Sequence, residues 1–431
     1  MRIFSKDCLC PKLEELINEL HQDKDKSKLR IVENFWNTIK SSGSPLIDPF
    51  PVDKRFYLVT FVYQSTKKLE NVFLLTNLNE VDPLRYIFEQ IPHTDIYFIA
   101  FKMTKRVRTS YRIIEDDPLV SIYAGQKYGL RLDKLSSNPD PLNKNVIIYK
   151  NGISEGVDYL EAVVELPEAP KQLWLNHVGS DQKGNLIQFN NFNSTILHNS
   201  RSVLVYIPKS IPDEDEKYNL LIQFDKEEYE GPIQLPTILD NLILSKKIGP
   251  TICVFIGNSV DENSESNRNI ELTCNPDFKD FIVHEIVPWL RNNYNVTNDP
   301  AKTVISGSSF GGLSALYIAF NHEDIFGNVL SQSGSFWFNH PSKPEQFEWL
   351  IREIGLSSKK ELKIYIEVGT LEGEYSSDNP FFPHMILANR HLCTILDIKK
   401  YEYKYHEFEG GHLAINWKGT IGDALVYLIG E

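Results

Sequence analysis

A chain of 431 residues is long enough for two or three domains of ordinary size. Its 42% hydrophobic and 24% charged residues exclude a disordered, collagenous or disulfide-dense protein. With 45 Lys and Arg against 58 Asp and Glu, the formal charge of −13 argues against a sequence-independent nucleic-acid binder but leaves room for an anionic small ligand held by a few local cations. The first residues, MRIFSKDCLCPKLEELINEL, lack the continuous apolar core of a signal peptide, so cytoplasmic residence is the expectation. No run approaches the roughly 18 apolar residues of a membrane span. Five cysteines without CxxC spacing read as reduced, mostly structural thiols.

Leu13, Leu16, Ile17 and Leu20 fall at helical spacing, and a second apolar pattern runs through Ile31, Phe35, Trp36 and Ile39 before Gly43 and Pro45 stop it. From about residue 55 the rhythm changes. RFYLVTFVYQ, NVFLLT, DIYFIAFKM and RTSYRII are short, β-branched and aromatic, the spacing of an antiparallel β-sandwich. SSNPDPLN and GSDQKGN read as loops. From about 201 strand patterns alternate with helical ones: RSVLVYIP, YNLLIQF, TICVFIG, KTVISG, GNVLSQS, LKIYIEVG and YEYKYHEF. That alternation predicts a mostly parallel sheet with helices on both faces. Asn275-Pro276 reads as a helix start, with Pro288 kinking the helix late. The expected organisation is a helical segment over 1–45, a sandwich over 46–195 and an α/β-hydrolase domain over 196–431.

The strongest local signal is Gly307-Ser308-Ser309-Phe310-Gly311-Gly312, set between the strand ending at Ser306 and the helical LSALYIAF. Strand, tight turn and helix are the context of a GxSxG nucleophile elbow, which makes Ser309 the candidate nucleophile. The base should follow in the order Ser, acid, His. His412 sits in EGGH directly after the last strand pattern. The acid should leave the end of LKIYIEVG, where Glu372 is preferred and Glu367, Glu374 and Asp378 compete. An oxyanion needs two N–H donors: the Phe310 amide, following the nucleophile, and an amide after YNLLIQF, for which Lys226 is the candidate. His284-Glu285 opens like HExxH, but position 288 is Pro, so that zinc motif fails and no metal site is expected.

On GSSFGGLSALY, FGNVLSQSGSFWF and GGHLAINWKG, the R-x-x-E-L-x-x-N spacing of Arg268, Glu271 and Asn275, and PHTDIY, SYR, DPLN and ELPEAP upstream, the chain resembles the enterochelin (enterobactin) esterase family over residues 35 to 420. The resemblance implies an immunoglobulin-like sandwich ahead of an α/β-hydrolase. It also implies a cytoplasmic serine esterase that opens the ester backbone of ferric catecholate siderophores. The iron belongs to the substrate, so no protein cofactor is implied, and no nucleic-acid or membrane partner. Matched positions give Arg268, Glu271, Asn275, Trp337, Trp417 and Lys418 as substrate-binding candidates. The matched cations would offset the charge of a tris-catecholate, and the matched tryptophans would pack on its rings. Asn275 also fits a helix N-cap, and Glu271 fits a partner that orients Arg268. Departures are Lys226 where the family has Gly, Leu413 where Asp is usual, Lys418 where Arg is common, and a longer loop after Gly369. Two alternatives stay open: an esterase of the same fold acting on feruloyl or acyl esters, and a ligand-binding protein on a retired hydrolase scaffold.

Overall fold

The computed structural model describes residues 9–22, 28–78, 83–116, 139–150, 158–176, 178–260, 266–373 and 384–430. Two compact units emerge: residues up to 170 together with 409–413, and residues 171–373, 384–408 and 414–430.

In the first unit, α1 (Pro11–Gln22) and α2 (Lys28–Ser42) form where apolar spacing predicts them. Gly43, at φ 84°, supplies the left-handed residue that ends α2. The strands are β1 (Leu46–Pro49), β2 (Phe56–Gln64), β3 (Val72–Thr76), β4 (Glu89–Gln90), β5 (Ile96–Thr104), β6 (Arg108–Glu115), β7 (Val146–Tyr149) and β8 (Tyr159–Glu165). They make two antiparallel sheets, β1-β2-β5-β4 and β3-β6-β8-β7. Phe61 of β2 meets Tyr111 of β6 edge-on at 4.7 Å between centroids, so the two sheets share a core. On the other face of β2 and β5, Leu58, Val62, Phe98 and Ala100 pack against Leu13, Leu16, Phe35, Trp36 and Ile39 of the two helices. Burial on both faces explains why β2 reads as a nearly continuous apolar run.

The second unit holds β9 (Asn185–Ser194), β10 (Asn199–Ile207), β11 (Asn219–Phe224), β12 (Thr251–Ile256), β13 (Thr303–Ser308), β14 (Asn328–Gln332), β15 (Lys363–Gly369) and β16 (Glu402–Phe408). Their order is β16-β15-β14-β13-β11-β12-β10-β9, parallel from β16 to β12 and antiparallel at β10 and β9. Helices are α3 (Lys226–Glu230), α4 (Leu235–Leu244), α5 (Arg268–Glu271), α6 (Pro276–Phe281), α7 (Val287–Asn293), α8 (Phe310–Asn321), α9 (Trp349–Leu356), α10 (Met385–Ile398) and α11 (Ala414–Ile429). One sheet face packs Ile222, Ile305, Val329 and Ile364 against α6 to α10, while α4 and α11 lie together on the other. This is the α/β-hydrolase architecture the strand–helix alternation predicts.

Two details differ from the sequence expectation. The units divide at 170/171, not near 195, because β9 pairs with β10 and so joins the large sheet. The helix opened by Asn275 does not merely kink at Pro288: a π turn over Ile282–Ile286 separates α6 from α7 just ahead of the proline, which lacks a backbone N–H. No helix among the described residues is long and apolar enough to cross a membrane.

Candidate active site

β13 delivers the chain into a tight turn at Ser309, and α8 begins at the next residue. Ser309 has φ 56° and ψ −122°, a strained conformation that a non-glycine residue holds at a cost of about 1–3 kcal/mol. The turn leaves no room for neighbouring side chains: a Cβ on Gly307 would come within 2.5 Å of the Gly311 backbone. Backbone bonds fix the strain. The Ser309 N–H donates to the Gln332 carbonyl (2.9 Å), and its carbonyl accepts from the Ser335 N–H (3.0 Å) and the Leu313 N–H (3.1 Å). Ser309 Oγ lies 3.3 Å from Ser335 Oγ. The hydroxyl is thus raised at the C-terminal edge of a parallel sheet, where a nucleophile of this fold works.

Glu372 follows the end of β15 on the same edge. Its Oε1 accepts from the Gly369 N–H and from Ser333 Oγ, each at 2.7 Å. Ser333 Oγ in turn lies 3.0 Å from Trp417 Nε1. An indole nitrogen can only donate, so Ser333 accepts from Trp417 and its single proton is directed to Glu372. The competing acids fare differently. Glu367 is fully buried, and its Oε1 accepts from Gln332 Nε2 (2.6 Å) and Thr420 Oγ1 (2.5 Å), while Oε2 lies 3.9 Å from His406 Nδ1. Its hydrogen bonds tie it to β14 and α11. Glu374 and Asp378 lie outside the described residues.

His412 is at the centre of a three-residue turn closed by the Leu413 N–H donating to the Gly411 carbonyl at 2.9 Å. The five residues 409–413 run from the end of β16 to the start of α11 and cluster with the first unit. Arg108 donates its N–H to the Glu409 carbonyl (3.4 Å) and bridges Gly410 in parallel fashion, and Arg106 Nε is 3.7 Å from the Glu409 carboxylate. A Cβ at Gly411 would sit 2.9 Å from the Asn77 carbonyl.

The loop after β11 carries the second amide candidate. Lys226 opens α3 and Phe310 opens α8, and first-turn amides have no carbonyl four residues back within their own helix. A Cβ on Gly311 would lie 3.2 Å from Asp225 Oδ2, so the two helix starts are packed together. The Lys226 ammonium lies 3.4 Å from both Glu227 and Glu230.

Four of the six substrate-binding candidates have other work. Arg268 is not oriented by Glu271; its Nε and Nη2 reach Asp225 Oδ1 and Oδ2 at 2.6 and 2.7 Å. Burial alone would lower the Arg268 pKa, but the Asp225 charge outweighs it and raises it. Glu271 is 4% exposed, and Arg201, Asn199 and Ser259 saturate it at 2.7–3.1 Å. Asn275 is the N-cap of α6, its Oδ1 accepting from the Asp277 and Phe278 amides at 2.8 and 3.1 Å. Trp417 is 3% exposed, a core residue whose indole serves Ser333. Trp337, half-buried with its ring 5.7 Å from that of Phe310, and Lys418, half-buried on α11, keep surface for a ligand, as do the partly exposed Arg268 and Asn275 beside their structural bonds. The sequence pattern did not single out Asp225, Ser333 or Ser335; the SQSGS run closing β14 was the available signal for the two serines.

Residues 194–428 match the esterase family model, and residues 58–175 match the model of the enterochelin esterase N-terminal domain. The chain is similar to the iron(III) enterobactin esterase of Escherichia coli O6:H1, with 28% identity over 349 residues, covering 79% of this chain and 81% of that protein. It is similar to the iron(III) salmochelin esterase of the same organism, with 26% identity over 410 residues, covering 92% and 93%. Among solved structures it resembles the ferric enterobactin esterase of Salmonella typhimurium, with a TM-score of 0.72 and 25% identity, covering 92% of this chain and 98% of that one.

Proposed function

The chain belongs to the enterochelin esterase family and is an ester hydrolase, and we propose that it cleaves the ester backbone of a ferric catecholate siderophore of the enterobactin type in the cytoplasm. The observation that carries the chemistry is Ser309, held at φ 56° between β13 and α8. Ser309 Oγ attacks the ester carbonyl carbon while His412 takes its proton. The amides of Phe310 and Lys226 hold the oxyanion. Glu372, its Oε1 fixed by Gly369 and Ser333, orients the imidazole and offsets its positive charge. The ester C–O bond breaks, and His412 returns the proton to the departing alkoxide. Water then attacks the acyl-enzyme, again deprotonated by His412, releasing the carboxylic acid and restoring Ser309. The iron travels with the substrate and takes no place in the protein, and Trp337 and Lys418 are the side chains proposed to meet the ferric complex.

Mass spectrometry of products tests this. Purified protein and its Ser309→Ala variant are incubated with ferric enterobactin, the iron-free form and a simple aryl ester. Linear trimer, dimer or monomer that depends on Ser309 is the expected result. Cleavage of the aryl ester alone moves the substrate to another ester class. Binding of the ferric complex with no cleavage of anything overturns the esterase assignment.

A further inference from the structure

The charge at Arg268 is already spent. Its guanidinium holds both oxygens of Asp225, at 2.6 and 2.7 Å, and the Asp225 side chain is 5% exposed. A bidentate pair of this kind is neutral as a unit and has no net positive charge to offer an anionic ligand. Its position is informative. Asp225 is the last residue before Lys226, and it is a non-glycine residue in the left-handed region, at φ 56° and ψ 56°. Asn258 Nδ2 adds a third bond to Asp225 Oδ1 at 3.1 Å. Arg268 Nη2 also reaches to 3.5 Å from the carbonyl of Ser308, the residue before the nucleophile. One planar group therefore links the side chain of Asp225, the residue before the Lys226 amide, to the carbonyl of Ser308, two residues before the Phe310 amide.

We propose that Arg268 is a positioning residue of the oxyanion hole, gripping Asp225 so that the Lys226 amide is set against the nucleophile elbow, and that it is not a substrate-binding cation. The inference rests on the reading of Ser309 as nucleophile. Without the grip, Asp225 relaxes from its strained conformation, and the amide that follows it turns away from the developing oxyanion. The ground-state ester, which does not need that amide, binds as before.

The test is steady-state kinetics of the full chain on neutral p-nitrophenyl butyrate and on ferric enterobactin. Misplacing a catalytic group by about 1 Å costs about 100-fold, so Arg268→Gln is expected to lower kcat roughly 30- to 100-fold on both substrates, with KM within about threefold. Asp225→Asn gives the same loss, and Arg268→Lys recovers part of it. Arg268→Gln leaves a buried carboxylate unpaired, so Arg268→Gln/Asp225→Asn is the form that keeps the interior neutral. It shows the same kcat and not the product of two losses. A rise in KM confined to the ferric complex, with neutral-ester turnover unchanged in the double variant, overturns the proposal and restores Arg268 as a substrate cation. Labelling of wild-type Ser309 by a fluorophosphonate separates the two readings. Labelled wild type with undiminished variant turnover sinks this inference alone, and absence of wild-type labelling sinks the nucleophile assignment and this inference with it.

Discussion

Replacing Ser333 by Ala removes one oxygen that serves two partners. Ser333 Oγ donates to Glu372 Oε1 at 2.7 Å and accepts from Trp417 Nε1 at 3.0 Å. A hydrogen bond to a charged group contributes about 1.5–3 kcal/mol, and a buried donor left without an acceptor costs about 1–3 kcal/mol. Trp417 is 3% exposed, so its indole does not regain a water in exchange. Gly369 still holds Glu372 Oε1, which places the expected loss of stability near the low end of that sum, about 3 kcal/mol. Trp417→Phe removes the indole N–H that Ser333 accepts from. In that background Ser333→Ala should cost about 1–2 kcal/mol less, because losing both partners of a bond is milder than losing one. With Glu372 as the proposed acid, turnover should fall about tenfold in Ser333→Ala with KM unchanged, as one restraint on its carboxylate is lost. Urea unfolding followed by far-ultraviolet circular dichroism, with p-nitrophenyl butyrate kinetics on the same samples, reads all three. Unchanged unfolding midpoint and unchanged kcat in Ser333→Ala would refute the directed chain from Trp417 to Glu372.

Two further outcomes separate structural from ligand-facing roles. Asn275→Ala loses the α6 cap and should lower stability by about 1 kcal/mol, leaving KM for ferric enterobactin unchanged. A raised KM at unchanged stability returns Asn275 to the substrate. Glu285 tests pH dependence: burial opposes its ionisation, but bonds from Ser194, Thr195 and Ile196 outweigh that and lower its pKa below 4.5. A depressed native carboxyl binds fewer protons than the unfolded one, so its stabilisation is complete above 4.5 and lost as pH falls through the native value. Glu285→Gln should therefore destabilise at pH 7 by at most about 1 kcal/mol, since the partly exposed carboxylate is screened by solvent, with the gap narrowing as pH falls below 4.5 in unfolding titrations; a gap constant with pH contradicts the assignment.

The strands of the large sheet were legible because central parallel strands are buried on both faces and read as apolar runs; all six residues of β11 are buried. β9 was not. Most of its residues, NLIQFNNFNS, are exposed on an edge, and a strand with so little burial has no pattern to show, which displaced the expected boundary between the units. The tight turn at Ser309 was legible for a local reason: a side chain at Gly307 would strike the Gly311 backbone, and the glycines record that closeness. What holds the elbow was not, because those partners are set by sheet order. Arg268 lies 43 residues from Asp225 and Glu271 lies 70 from Arg201, distances that only the neighbouring positions of β10, β11 and β12 close. A motif spacing that put Arg268 three residues before Glu271 therefore suggested a pair that the fold divides between two different partners. Local spacing identifies a residue whose own backbone geometry is special. It misassigns a charged residue whose partner arrives from another strand, because the deeper the charge is buried, the more its role is decided by that distant partner.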